Sequence, residues 1–270
     1  RQGLAEAEKA LKKYPHDFRV VYESASLYLS FGASGREEPL LQRALRLLED
    51  ARLLIQQNRD PKINQDILFG KMAEARLAMG QVREAVSLLE AHNAGGMYDD
   101  VIGLNLAADC SDYDASLPYL SDALISHVAA LIRVILGYAN AYDGKGDPAK
   151  AREVLQWGVG ALMGLKDGEK PCFLDKICSA LYVALAGELL SEKIPAAARQ
   201  ALITAQTLAA GFDRAPDYRP SALKFVTDHR PAGVYDDLGT TALEGVRRTI
   251  ADMNQPELTA WWKEIEEHEA

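Results

Sequence analysis

Cysteine is scarce: Cys110, Cys172 and Cys178 are the only three in 270 residues, and none shares a CxxC spacing. An odd number without paired spacing argues against a disulfide framework or a structural zinc site and points to a reducing cytoplasm. The five histidines, His16, His92, His127, His229 and His268, are scattered. No HExxH, nucleophile elbow or glycine-rich phosphate loop accompanies them, so no catalytic residue, metal or cofactor is expected and the chain does not read as an enzyme. Aromatic residues make up only 7% of the chain, and no alternating run of convincing length marks a strand. Positive charge is dispersed in a chain of net charge −9, which disfavours nucleic-acid binding by this segment itself. No uninterrupted apolar run of about 20 residues is present to cross a bilayer. The longest apolar stretch, "ALISHVAALIRVILGYANAY", carries His127, Arg133 and Asn140 and reads as a buried helix. No secretory leader is visible, and the chain begins at Arg1 inside a helical pattern, as a fragment of a longer protein would.

What is abundant is alanine and leucine in amphipathic segments separated by short breakers, and the expected class is all-α. Helices are expected over "LAEAEKALKKYP", from "DFRVVY" to Gly32, from near Pro39 to Asn58, over "NQDILFGKMAEARLAMG" and over "QVREAVSLLEAHN". A shorter one follows at about 98–108 and a long one at about 117–142. Asp147 with Pro148 is a strong helix start. Beyond it helices are expected to about Leu165, through Leu190, from Pro195 to about Ala210, over 234–253 and over 256–267. "GFDRAPDYRPSALKF" and "TDHRPAG" read as proline-rich connectors.

Three hairpins share one register. Ala73 is followed by Gly80 and Ala85, Ala139 by Gly146 and Ala151, and Ala186 by Lys193 and Ala198. Small side chains let antiparallel helices approach to about 8–10 Å, and glycine permits the positive φ that ends a helix. Ala25 and Gly32 form a partial fourth copy with Glu37 where alanine is expected.

This register resembles the tetratricopeptide repeat, a helix–turn–helix unit with large residues before the first small one. Ile135, Tyr138, Ala139, Tyr142, Gly146, Ala151 and Leu155 carry the fullest match. The repeats are unevenly spaced, so the expected architecture is an α-α superhelix: a degenerate solenoid of antiparallel helix pairs forming one domain over 1–270. "LKKYPHDFRVVYESASLYL" and "YDDLGTTALEGVRRTI" resemble the C-terminal region of bacterial XRE-type (Cro/repressor-like) helix-turn-helix transcriptional regulators, over most of the chain from Leu4 to about Trp262. That resemblance implies a cytoplasmic sensor or oligomerisation domain: a homodimer that holds a peptide or protein partner in its concave groove. DNA would be reached only through an N-terminal domain not included in this sequence, and no membrane is implied. The alternative is a constitutive protein-interaction scaffold.

In tetratricopeptide folds the first helix of each hairpin lines the groove, which here implies Arg19, Tyr22, Glu74, Arg133 and Asn140 as groove candidates. Arg133 fits a carboxylate, and the Asn140 amide can pair with both N–H and C=O of an extended peptide. Tyr22, Gly70, Leu136 and Val183 stand where chaperone-binding arrays carry clamp lysines, which disfavours that function. The carboxylates Asp236 and Asp237 read as the acidic start of a helix. Cys172 and Cys178 read as buried, and Trp261 and Trp262 as a cap on the last repeat.

Overall fold

In a computed structural model, which describes residues 2–269 and side chains through 267, the chain is all-helical. The helices are α1 (Gln2–Lys13), α2 (Phe18–Gly35), α3 (Glu38–Leu53), α4 (Gln65–Ala78), α5 (Val82–Ala91) and α6 (Asp99–Ala108). They continue with α7 (Tyr113–Asp143), α8 (Pro148–Gly164), α9 (Phe173–Ser191), α10 (Pro195–Arg214), α11 (Ala242–Met253) and α12 (Pro256–Glu269). Among the described residues the only β pairing is a single bridge between Lys166 and Leu223. The chain forms two compact units, residues 1–120 and 121–270.

The hairpin register has a common backbone basis. Gly80, Gly146 and Lys193 all have positive φ, at 74°, 75° and 62°. In each turn the residue that follows donates its N–H five residues back: Gln81 to Arg76, Asp147 to Tyr142 and Ile194 to Leu189, at 2.8–3.0 Å. This is the helix-ending bond that a left-handed residue makes possible. Ala73, Ala85, Ala139, Ala151, Ala186 and Ala198 are all buried. The fourth copy corrects the sequence reading. Gly32 is not the turn: α2 runs one turn further, Arg36 takes the left-handed conformation (φ 50°), and Glu37 donates back to Gly32 at 2.9 Å. Gly32 serves packing instead, since a Cβ there would lie 2.8 Å from Leu41.

In the first unit α1–α4 enclose one core around Val21, Leu29, Leu48 and Leu68. A smaller one forms where α4, α5 and α6 meet at Ala73, Leu89 and Ile102. In the second unit α9 is the central element, packed against α8, α10 and α11. Its sequence, FLDKICSALYVALAGELLS, is apolar nearly all round, as a helix covered on several sides must be. Glycine lets two of its neighbours approach closely: Gly158 of α8 faces the fully buried Ile135 of α7. Trp262 of α12 is buried in the same core, with Trp261 half-buried beside it.

Three further expectations are corrected. The long apolar helix is not buried: of its most apolar 18-residue window, mean hydropathy 1.6, only 28% is covered. By length and composition that helix is apolar enough to cross a membrane, which does not decide where the chain resides. "GFDR" belongs to α10, which reaches Arg214 instead of ending near Ala210. The expected helix from Val234 begins only at Ala242, where Thr241 caps it by accepting from the Glu244 N–H and Asp213 accepts from the Ala242 and Leu243 N–H groups. Residues 215–241 are therefore a long strap without α-helix, carrying a single 3-10 turn at Pro220–Ala222.

Candidate functional site

The strap stays in place because its polar groups are met by the helical body. Lys176, one turn into α9, is 2% exposed. An ammonium has three hydrogens to donate, and Lys176 directs Nζ at three strap acceptors: Asp236 Oδ1 at 2.9 Å, Tyr218 Oη at 2.9 Å and Gly239 O at 2.7 Å. Burial pulls its pKa down, but the hydrogen bonds it donates to Tyr218 and Asp236 outweigh that and leave the lysine above its ordinary value. The expected role of Asp236 as an early helix carboxylate is thus corrected: it sits outside α11 and neutralises a buried cation. A second tie joins Arg230 to Asp122 of α7, whose carboxylate also accepts from the Arg230 backbone N–H at 3.0 Å. A further pair, buried on both sides, is Lys166 with Asp175 at 2.8 Å; it fixes the start of α9, where Asp175 also accepts from the Cys172 N–H.

Held this way, the strap forms one wall of a cleft of about 620 Å³ whose other walls are α7 and α9. Ile125, Val128 and Ile132 line it from α7, Ile177 and Leu181 from α9, and Val234 and Leu238 from the strap. Ala180 and Ala184, one turn apart on α9, leave the space open. Arg133 is the only cationic side chain that lines it. Its guanidinium is exposed and makes no hydrogen bond or ion pair among the described residues. Its carboxylates are Asp236, already bound by Lys176, and the exposed Asp237; Tyr235, 91% exposed, stands on the same lip.

Of the groove candidates, Arg133 alone belongs to this cleft. Asn140 is exposed on the same helix beyond the lining residues. Arg19 and Tyr22 come together in the first unit, in a polar cleft of about 530 Å³ at the start of α2 with Asn58, Arg59 and Asp60. There Tyr22 stacks on Phe18, lies under the Lys71 ammonium, and has its pKa raised chiefly by burial. Glu74 is exposed and lines neither cleft. Sequence reasoning missed Lys176, Ala180, Ala184, Val234 and Leu238, and read Asp236 and Asp237 only as the start of a helix. The one available signal was a lysine inside the apolar run "FLDKICSALYVALAGELL", a residue type seldom buried without a partner.

Cys172 and Cys178 are both buried, and burial raises both thiols, Cys178 to about 12. They are therefore protonated and poor nucleophiles. Among the described residues no group of three or more His, Cys, Asp or Glu side chains is placed to hold a metal ion.

No protein-family model matches the chain, and neither a curated protein nor a solved structure does.

Proposed function

We propose that this chain is a non-catalytic binding domain whose ligand occupies the cleft between α7, α9 and the strap, on a degenerate tetratricopeptide-type array of hairpins. The observation that carries the reading is the cleft itself: an apolar space of drug-sized volume, with one guanidinium at its edge that nothing among the described residues pairs with. The four hairpins that end on a left-handed residue with the same five-residue return bond support the repeat architecture. The resemblance of the terminal segments to XRE-type regulators favours a specific setting: the sensor part of a cytoplasmic bacterial transcriptional regulator, acting as a homodimer. A ligand seated against the strap would then shift the population between conformers and reposition attached DNA-binding domains. The affinity difference of the ligand for the two conformers sets the size of that shift.

A second reading, a constitutive protein-interaction scaffold, is favoured by a different observation. Val134 and Tyr138 of α7 and Trp157 of α8 are all exposed, with Tyr138 stacked on Tyr142. Scattered exposed apolar residues are ordinary on soluble proteins, so the cleft is the better-supported site.

Native mass spectrometry of protein purified from cells tests the first reading. The wild type is expected to retain a small-molecule adduct that Ala184→Trp, which fills the cleft, does not. Retention of the same adduct by both, or no adduct in either after incubation with cell extract, contradicts it.

A further inference from the structure

We infer that the cleft selects an amphipathic monocarboxylate, with its apolar chain laid over Ala180 and Ala184 and its carboxylate on Arg133. This rests on the reading of the cleft as the binding site and adds the chemical class of the ligand.

Three observations lead there. The lining is aliphatic from three directions, with Val128 and Ile132 of α7, Ile177 and Leu181 of α9 and Val234 of the strap. Apart from Arg133, its polar side chains are Tyr235, Asp236 and Asp237 on the strap and Thr249, whose hydroxyl donates to Gly245 O, so the body of the ligand meets mainly apolar surface. Arg133 is the only cation lining the space, and nothing among the described residues pairs with it. Its aliphatic stem can continue the apolar wall while the guanidinium stays in water, where its planar fork matches a carboxylate with two parallel hydrogen bonds. The charges on the opposite wall then fix the direction. Asp236 is neutralised by Lys176, and Asp237 is an exposed carboxylate. An acid therefore lies with its head toward α7 and its tail toward the strap.

The chemistry also sets what is rejected. An alcohol of equal length fills the same apolar space but forfeits the charge-assisted bond to Arg133. A cation is repelled by Arg133 and would have to turn its head to the exposed Asp237, forfeiting the two parallel hydrogen bonds of the guanidinium fork. Because Arg133 is exposed, the contribution of that bond is screened, and the discrimination is roughly tenfold instead of the several hundredfold of a dry pair.

Calorimetric titration of the full chain with decanoate, decanol and decylammonium, below their micelle concentrations, tests this. Decanoate is expected to bind roughly tenfold more tightly than either of the other two. Arg133→Met, which keeps the apolar stem at an exposed position, is expected to weaken decanoate to the level of decanol and leave decanol unchanged. Ala184→Trp, with Ala180→Leu as the milder second variant, is expected to weaken both ligands; the far-ultraviolet spectrum and melting curve of each variant confirm its fold. Equal binding of the three amphiphiles to the wild type, or a preference for decanoate that survives Arg133→Met, overturns the carboxylate assignment while leaving the cleft as a site. No binding by any amphiphile, or binding indifferent to both cleft-filling variants, overturns the cleft reading and this inference together.

Discussion

Lys176 Nζ and Asp236 Oδ1 lie 2.9 Å apart, and the lysine side chain is almost wholly out of solvent. They are 60 residues apart in sequence, on the central helix of the second unit and on the strap that crosses it. A charge left alone at such a place costs far more than the pair contributes when complete. Lys176→Met is expected to destabilise the second unit by about 3 kcal/mol, and adding Asp236→Leu to recover at least about 1 kcal/mol of that loss. All three tryptophans, Trp157, Trp261 and Trp262, lie in that unit, so denaturant unfolding followed by tryptophan fluorescence reads it directly. A Lys176→Met effect under about 0.5 kcal/mol would mean that the pair does not hold the strap.

Two glycines of α8 should respond oppositely to alanine. A Cβ at Gly158 would lie 2.7–3.0 Å from three side-chain atoms of the fully buried Ile135. Gly158→Ala is expected to cost about 1–3 kcal/mol as overpacking. Gly160 has nothing within 4 Å of the same position, so Gly160→Ala is expected to gain about 0.5–1 kcal/mol from helix propensity. The same fluorescence assay checks both, and equal signs would contradict the close approach of α7 and α8.

Lys193 occupies the left-handed turn that glycine fills in the other two register-matched hairpins, and its side chain is exposed. The left-handed conformation costs a non-glycine residue roughly 1 kcal/mol. Lys193→Gly is expected to raise the melting temperature of the second unit, corresponding to about 0.5–1 kcal/mol, and a lowered melting temperature would contradict the turn geometry.

Glu188 of α9 supplies the pH dependence. Burial, then the negative charges of Asp143 and Glu192, push its carboxyl up to about 7. Glu192 is itself bound by Arg152 at 2.7 Å, and Oε2 of Glu188 has no hydrogen-bond partner. The folded chain therefore holds a proton that the unfolded chain releases near its ordinary value of 4.5. Between those values the native state binds more protons, so this residue makes stability fall as pH rises from about 4.5 to about 7 and level off above that. Glu188→Gln is expected to remove that slope and to be more stable than the wild type at pH 8 by an amount on the order of 3 kcal/mol. Melting curves across that range check it, and a wild type and variant that run parallel would contradict it.

The hairpins were legible in the sequence because their chemistry is local. A small residue, a turn residue and another small residue recur at spacings of seven and five, and each turn closes within six residues. The Arg36 turn escaped that reading because α2 is extended by one helical turn, which moves the left-handed residue but keeps a glycine where the register expected it. Arg133 was visible as a charge in an apolar helix. The cleft beside it was not, since its far wall comes from residues about a hundred positions later. The Lys176–Asp236 tie was hidden for the same reason: Asp236 looks like any acidic residue ahead of a helix, and only the tertiary structure sets it against a buried ammonium.

Amide hydrogen exchange on the full chain, with and without saturating decanoate or decanol, tests the central claim most directly, because it locates the occupied surface whatever the head group. Slowed exchange is expected in α7 over 122–136, in α9 over 176–185 and in the strap over 226–240, with the first unit unchanged. Protection confined to residues 1–120, or spread evenly over both units, would contradict the assignment of the cleft as the binding site.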